Sequence, residues 1–318
     1  MEQRKATRNR IFNLLKIAVS VGFLALLLTR VDVGQAIQRL AGMHVGFFLG
    51  AVALYVGGVL VRATRWGVLI WSLGVHVRWR RLVALYFVGS FFNLVLPTGF
   101  GGDAVKMLEL SRDSKASSAI SSVLVDRFAG LLVLFVLAAL ALLGSYQLVT
   151  PMVRLAILVV SLGSLILVGL LVQRTWIETW GRRLRLDRLL DRFGILRELY
   201  GSLHLYSSRA LAQAMGASLL FNLMHILANV LLAAAVGIRL PVWTFFLFVP
   251  IIAFTSMLPS VGGLGLREGA YVLLFSQVGV DQDHGLALAL SRDMTLLVLA
   301  LIGVGIYVVQ SARESWRR

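Results

Sequence analysis

Six stretches of this chain, 11–28, 44–61, 119–143, 152–172, 211–236 and 285–309, are predominantly apolar over membrane length. At about 1.5 Å of helical rise per residue, each crosses most or all of a hydrocarbon core about 30 Å thick. A water-soluble core has no use for apolar blocks of that length, so the sequence reads as an all-α polytopic membrane protein with six spanning helices. The first block follows the basic stretch RKATRNR as a signal peptide would. The following TRVDVGQ offers no small-residue cleavage site, so the block is expected to remain as an anchor.

Two further apolar runs, 82–96 and 242–258, end in LPTGFGG and LPSVGGLG, and each leads into a shorter, more polar helical stretch, 103–115 and 266–279. Proline removes a backbone donor and glycine loosens the helix, so each run is expected to break at Pro97 and at Pro259. Unpaired backbone in lipid costs several kcal/mol per group, so such breaks persist only where protein or a watery cavity surrounds them. Paired broken segments are the best sequence pointer to a transport site.

The distribution of basic residues decides whether these runs cross or turn back. If both turn back, 24 Lys and Arg fall on one side, including five within 62–81 and eight within 174–209. Only Arg30, Arg39, Arg154 and Arg239 fall on the other, with Arg127, Arg267 and Arg292 inside the membrane. A full crossing by the first run would put the Arg-rich loop 173–210 on the wrong side. Two re-entrant hairpins are therefore expected, with both termini cytoplasmic. A variant in which each second arm also spans has the same parity and stays open.

The two hairpins then enter from opposite faces, which makes the chain one integral membrane domain, 1–318, built as an inverted repeat over about 44–143 and 211–309. The linker 173–210, with Trp176 and Trp180, reads as a basic amphipathic segment on an anionic leaflet. Pro97 precedes a helix carrying VDRFAG and Pro259 one carrying SRDMT, with Pro-to-Arg separations of 30 and 33 residues.

Arg127 and Arg292 are the sharpest candidates, since a charged Arg at the centre of the bilayer costs at least about 2.5 kcal/mol and should face the protein interior. Asp126 and Asp293 adjoin them, and local pairing is the plain alternative. Neighbours at i, i+1 do not face each other on a helix, which weakens it. Asp103 and Lys106 follow the first break, where a helix N-terminus favours an anion. Asp103 has a capping role as its simpler explanation, and Lys106 with Glu109 and Arg112 can equally mark a solvated face. Arg267 and Glu268 adjoin the glycine-rich turn of the second break, where Gly262, Gly263 and Gly265 permit close backbone approach. A reciprocal Arg–Glu pair is the alternative there. Asn93 and Thr255, each four residues before its proline, are expected to bond carbonyls freed by the breaks. Asn222, His225 and Asn229 share one helix side, and a polar seam gluing helices explains them better than a metal or proton site.

The chain has no cysteine, which excludes a disulfide framework, a thiolate nucleophile and a Cys-based metal site. No HExxH, Walker or GxSxG motif occurs, so no cofactor, no bound metal and no enzymatic activity are expected. A net charge of +16 would suggest nucleic acid in a soluble protein. Here the cations fall between apolar blocks, where sidedness and anionic lipid account for them, so nucleic acid is not an expected partner.

The stretches RATRW, NLVLPTGFGGDAVK, SVLVDRFAGLL and LPSVGGLGLREGAYVLLF resemble the membrane domain of the lysylphosphatidylglycerol synthase and flippase family. The resemblance spans essentially the whole chain. Its motif positions here are Asn93, Pro97, Gly101, Gly102, Asp103, Arg127, Pro259, Gly262, Gly263, Gly265, Arg267, Glu268 and Arg292. It implies the lipid-translocating half of the two-domain members without the aminoacyl-transferring half, in a bacterial inner membrane. The implied partners are anionic, aminoacylated or isoprenoid-type lipids; a separate lipid-synthesising enzyme and a homo-oligomer stay open. In that reading Arg127, Arg292, Asp103, Lys106, Arg267, Glu268, Asp126 and Asp293 bind the headgroup or gate it, while Asn93, Pro97, Gly101, Gly102, Thr255, Pro259, Gly262, Gly263 and Gly265 form the breaks and line the cavity. The alternative is a membrane-embedded transferase or an accessory subunit of envelope-lipid synthesis, with Asp103 or Glu268 as base.

Overall fold

The computed structural model describes residues 29, 31–95, 101–112, 114–145, 147, 149–172, 206–255 and 265–315. The expected anchor 11–28, residues 173–205 of the linker and the break residues Pro97, Pro259, Gly262 and Gly263 lie outside them. The regular elements described are helices: α1 (Val33–Ala41), α2 (Val45–Ser72), α3 (Trp79–Val95), α4 (Gly101–Ser111), α5 (Ala116–Ser145), α6 (Pro151–Val172), α7 (Ser208–Ala235), α8 (Val242–Thr255), α9 (Leu266–Ser276) and α10 (Gln282–Ser315). Among the described residues four helices are long and apolar enough to cross a membrane, α2, α5, α7 and α10.

The helix boundaries follow the apolar pattern closely except in two places. Helix α1 has no long apolar block to announce it. Its start is set by Asp32, whose Oδ1 accepts from the Gln35 amide at 3.0 Å and satisfies one of the donors a helix N-terminus leaves open. Helix α2 corrects the sequence expectation: it runs on to Ser72 instead of ending near 61, so Arg62 and Arg65 are helix residues and not part of a cytoplasmic loop. The helix continues because Arg65 finds buried partners inside the protein. The excess of cations on the expected cytoplasmic side keeps its sign.

The described chain forms two compact units, each assembled from separated segments. One contains the chain up to Val56, then Phe87–Gly102 and His225 onward. Within it α10 packs on α9 and on α1, and α8 packs on α9. Phe275 sits at its centre, with the rings of Phe245, Phe248 and Tyr271 at 5.6, 5.3 and 5.9 Å. Two backbone approaches are very close: a Cβ on Gly303 would lie 2.1 Å from the Phe87 carbonyl oxygen, and one on Gly102 would lie 2.2 Å from that of Gly89. Only glycine permits such contact, and helices in lipid gain packing from it.

The other unit contains Gly57–Tyr86 and Asp103–Met224. Helices α5 and α6 pack together in it, and Ser161 donates to the Phe135 carbonyl at 2.9 Å. Leu69, Val125, Tyr206 and Ala214 form a buried apolar cluster. On α6, Met152, Leu155, Leu158, Val159 and Leu162 stay exposed, as suits a surface facing lipid. The units interleave along the chain, so spans such as 44–143 and 211–309 describe sequence order and not these units.

Candidate functional site

Each unit holds one buried cluster of charged and aromatic side chains. In the unit of Gly57–Tyr86 and Asp103–Met224 the hub is Tyr86, 3 % exposed. Its hydroxyl donates to Asp126 Oδ2 at 2.5 Å, and the other carboxylate oxygen accepts from Arg65 Nε at 2.6 Å. Arg65 also donates from its NH1 to Ser218 at 3.0 Å. Gly130 leaves room for that guanidinium, because a Cβ there would lie 2.8 Å from Arg65 NH1. Arg62 stands with its guanidinium carbon 5.0 Å from the Tyr86 ring centre and 5.2 Å from that of Phe221. Lys106 Nζ lies 4.2 Å from the Tyr86 ring centre and 5.5 Å from that of Trp66. Both are distances at which a ring face attracts a cation. Trp66 is itself fixed by donating from Nε1 to Ser122 at 3.1 Å.

The first break delivers its charged pair into this cluster. Asp103 bridges Lys106, at 2.7 Å, and Arg127. Lys106 is 3 % exposed and so faces inward. The solvated face of α4 belongs instead to Glu109 and Arg112, paired at 2.8 Å. Asp103 acts here as an ion-pair partner, while the Gly102 amide is satisfied by Asn93 Oδ1 at 2.7 Å. Among the described residues Asn93 meets an amide beyond the break and not a freed carbonyl, because the first amides of a helix have no acceptor within it. Thr255 donates to the Ile252 carbonyl of its own helix at 2.8 Å.

In the unit that includes His225 onward, Arg267 reaches Glu268 and Asp293, both at 2.8 Å. Glu268 is held by the chain itself: its Oε2 accepts from the Gly265 amide at 2.6 Å, and Gly265 has φ of +82°, a conformation glycine adopts without strain. Arg292 NH1 is 3.6 Å from Asp293, an ion-pair distance beyond hydrogen-bond reach. Tyr271 donates to Asn229 Oδ1 at 2.5 Å, and Asn229 in turn donates to the His225 carbonyl at 2.8 Å. Tyr55 packs edge-on against His225, with ring centres 5.4 Å apart.

Local pairing between sequence neighbours thus fails for one Arg–Asp couple and holds loosely for the other. Asp126 goes to Arg65 and Arg127 to Asp103, whereas Asp293 serves Arg267 and Arg292 together. In both units the helix after the break is tied by an ion pair to the long helix that follows it, with the signs exchanged: Asp103 to Arg127, Arg267 to Asp293. The seam of α7 acts as glue, since Asn222 donates to the Gly130 carbonyl at 2.9 Å and Asn229 receives Tyr271. Sequence reasoning missed Arg62, Arg65, Tyr86 and Tyr271 as cluster members. The signal for the first two was their i, i+3 spacing in RATRW, which sets both on one helix face. Asp281, Asp283 and His284 also come within metal-ligand reach of one another at the start of α10, but Asp283 is engaged by Arg39.

Comparison with known proteins places this arrangement in context. Residues 13–303 match the family model described as the lysylphosphatidylglycerol synthase TM region. The chain is also similar to the UPF0104 membrane protein PH1989 of Pyrococcus horikoshii, 23 % identical over 330 aligned residues that cover 94 % of this chain and 97 % of that one.

Proposed function

This polytopic membrane protein belongs to the lysylphosphatidylglycerol synthase TM-region family, and from that membership we propose that it translocates a phospholipid, or another anionic, aminoacylated or isoprenoid-type lipid, between leaflets. The observation that carries the reading is that each unit buries ionised side chains at the helix following a break. Burying an ion costs several kcal/mol, and clusters of this kind inside membrane proteins mark polar pathways. Eleven-residue helices follow both breaks; at about 17 Å each they reach roughly halfway through the hydrocarbon, which supports re-entrant hairpins over fully spanning second arms.

In this reading the breaks are two hairpins of an inverted repeat, and a polar path shields the headgroup while the tails stay in hydrocarbon. Arg127 and Arg292 meet the phosphate, and Asp103, Lys106, Arg267 and Glu268 meet the zwitterionic or cationic part or act as gates, with Asp126 and Asp293 positioning their arginine partners. The location is a bacterial inner membrane with cytoplasmic termini, and no nucleotide is consumed. The protein itself performs no bond chemistry.

Reconstitution into liposomes with fluorescent and aminoacylated phospholipids tests this directly. Leaflet exchange should require the protein and fall at least tenfold in Arg127→Gln and Arg292→Gln. Absence of exchange for every anionic and aminoacyl lipid offered, or formation of a transferred product from a lipid donor, would replace translocation with the transferase reading.

A further inference from the structure

The connection between α7 and α8 is built by the sequence AVGIRLP, residues 235–241. Gly237, with φ of +86°, ends α7: its amide donates to the Ala234 carbonyl at 3.2 Å and that of Ile238 to the Ala233 carbonyl at 2.8 Å, the bond pair of a glycine-terminated helix. The reversal turns Ile238 inward, 6 % exposed, and leaves Arg239 exposed. A cavity of about 400 Å³ lies between the two helices, walled by Val230 and Ala234 on one face of α7, by Ile238, Leu240 and Pro241, and by Phe245 of α8. Arg239 is the one charged residue of its lining. We infer that this cavity holds one acyl chain of an anionic membrane lipid whose headgroup sits on Arg239, a resident ligand that is bound and not moved.

The walls select hydrocarbon over water. A trapped water needs several polar partners, and apart from Arg239 the lining side chains offer none. Nor do the walls close on themselves: Phe245 is 1 % exposed with its ring held 5.6 Å from that of Phe275, and Ala234 presents only a methyl group. An unfilled void forfeits dispersion contacts, and the medium that supplies them in a bilayer is an acyl chain. The location agrees. Helix α7 is long and apolar enough to cross a membrane, so the residues that follow it lie at the boundary. Val242 and Trp243, directly after Pro241, are 47 % and 60 % exposed, as an interfacial anchor is. Arg239 supplies the sign. It has no hydrogen bond or ion pair among the described residues, whereas Arg39, expected on the same side of the membrane, is spent on Asp283. A guanidinium fork at an apolar mouth suits a phosphate or carboxylate carrying a chain. No lining residue belongs to either charged cluster, so the inference stands independently of translocation.

The test reconstitutes the full chain into phosphatidylcholine vesicles doped with a phosphatidylglycerol that carries a diazirine in one acyl chain. Parallel samples carry the same chain on phosphatidylcholine or as a free fatty acid. After irradiation, peptide mapping compares residues 230–245 with the stretch of α7 around Leu219, Leu220 and Leu223, whose exposed side chains report ordinary lipid contact. Phosphatidylglycerol should label 230–245 about fivefold more than phosphatidylcholine does, the preference one interfacial cation confers, with a ratio near one at the control stretch. Arg239→Gln, an exposed change that leaves the core untouched, should bring the ratio at 230–245 to about one. Ala234→Leu, which fills the cavity, should lower labelling there by both lipids; if its folded yield falls, Ala234→Val serves instead. Labelling by the free fatty acid stronger than by phosphatidylglycerol would support the cavity and its cation while assigning them to a free fatty acid. A wild-type ratio near one at 230–245, an equal ratio at the control stretch, or a ratio unchanged in Arg239→Gln would overturn the inference. Leaflet exchange measured on the same vesicles keeps the two ideas apart: Arg239-dependent labelling without exchange sinks translocation alone, and exchange without it sinks this site alone.

Discussion

Arg65 Nε lies 2.6 Å from Asp126 Oδ1, and both side chains are 2 % exposed. Removing one member of a buried ion pair strands the other, at a cost of roughly 3–5 kcal/mol. Arg65→Met should therefore lower the thermal midpoint in detergent sharply, and the double change Arg65→Met with Asp126→Leu should recover part of the loss. A double mutant that is as unstable as the sum of the two singles would show that the pair is not coupled.

Gly303 is predicted to be far less tolerant than Gly305, two residues away on the same helix. A Cβ at 303 meets the Phe87 carbonyl at 2.1 Å, whereas one at 305 has nothing within 4 Å. Gly303→Ala must push backbone apart, at about 1–3 kcal/mol or more, while Gly305→Ala should be neutral or stabilising by up to about 1 kcal/mol. Yield of folded protein and thermal midpoint of the two variants, compared side by side, decide the point.

Asn93 should matter through its acceptor oxygen and not through its amide nitrogen. It receives the Gly102 amide at 2.7 Å. Asn93→Leu should cost about 1–3 kcal/mol by orphaning that donor, and Asn93→Asp, which keeps an acceptor, should cost clearly less. Hydrogen exchange at the start of α4 would report it; equal exchange in the two variants contradicts the assignment.

Glu268 performs two tasks that substitution separates. Gln at this position keeps a group able to accept from the Gly265 amide but removes the charge facing Arg267; Ala removes both. Glu268→Ala should therefore destabilise by about 1–2 kcal/mol more than Glu268→Gln, the worth of a helix N-terminal hydrogen bond. Identical thermal midpoints would mean the cap contributes nothing.

Most of the helices were legible because apolar runs of membrane length have one economical solution in lipid, in which each segment satisfies its own backbone bonds. Helix α1 escaped because it is amphipathic and only nine residues long, with no apolar run to announce it, and the end of α2 escaped because two arginines look like a loop when their partners are unseen.

The sequence by itself determined the material of this protein: membrane-length helices, two interruptions, and arginines and carboxylates placed where lipid alone would not accept them. Only the tertiary structure decided who pairs with whom. Asp126 and Arg127 are adjacent in the chain, but consecutive helical residues point about 100° apart, so one turns to Arg65 and the other to Asp103. Arg62 and Arg65 share a helix face, yet the packing gives Arg65 a carboxylate and sets Arg62 against the rings of Tyr86 and Phe221. Charge balance is a property of neighbours in space, and linear order leaves it unspecified.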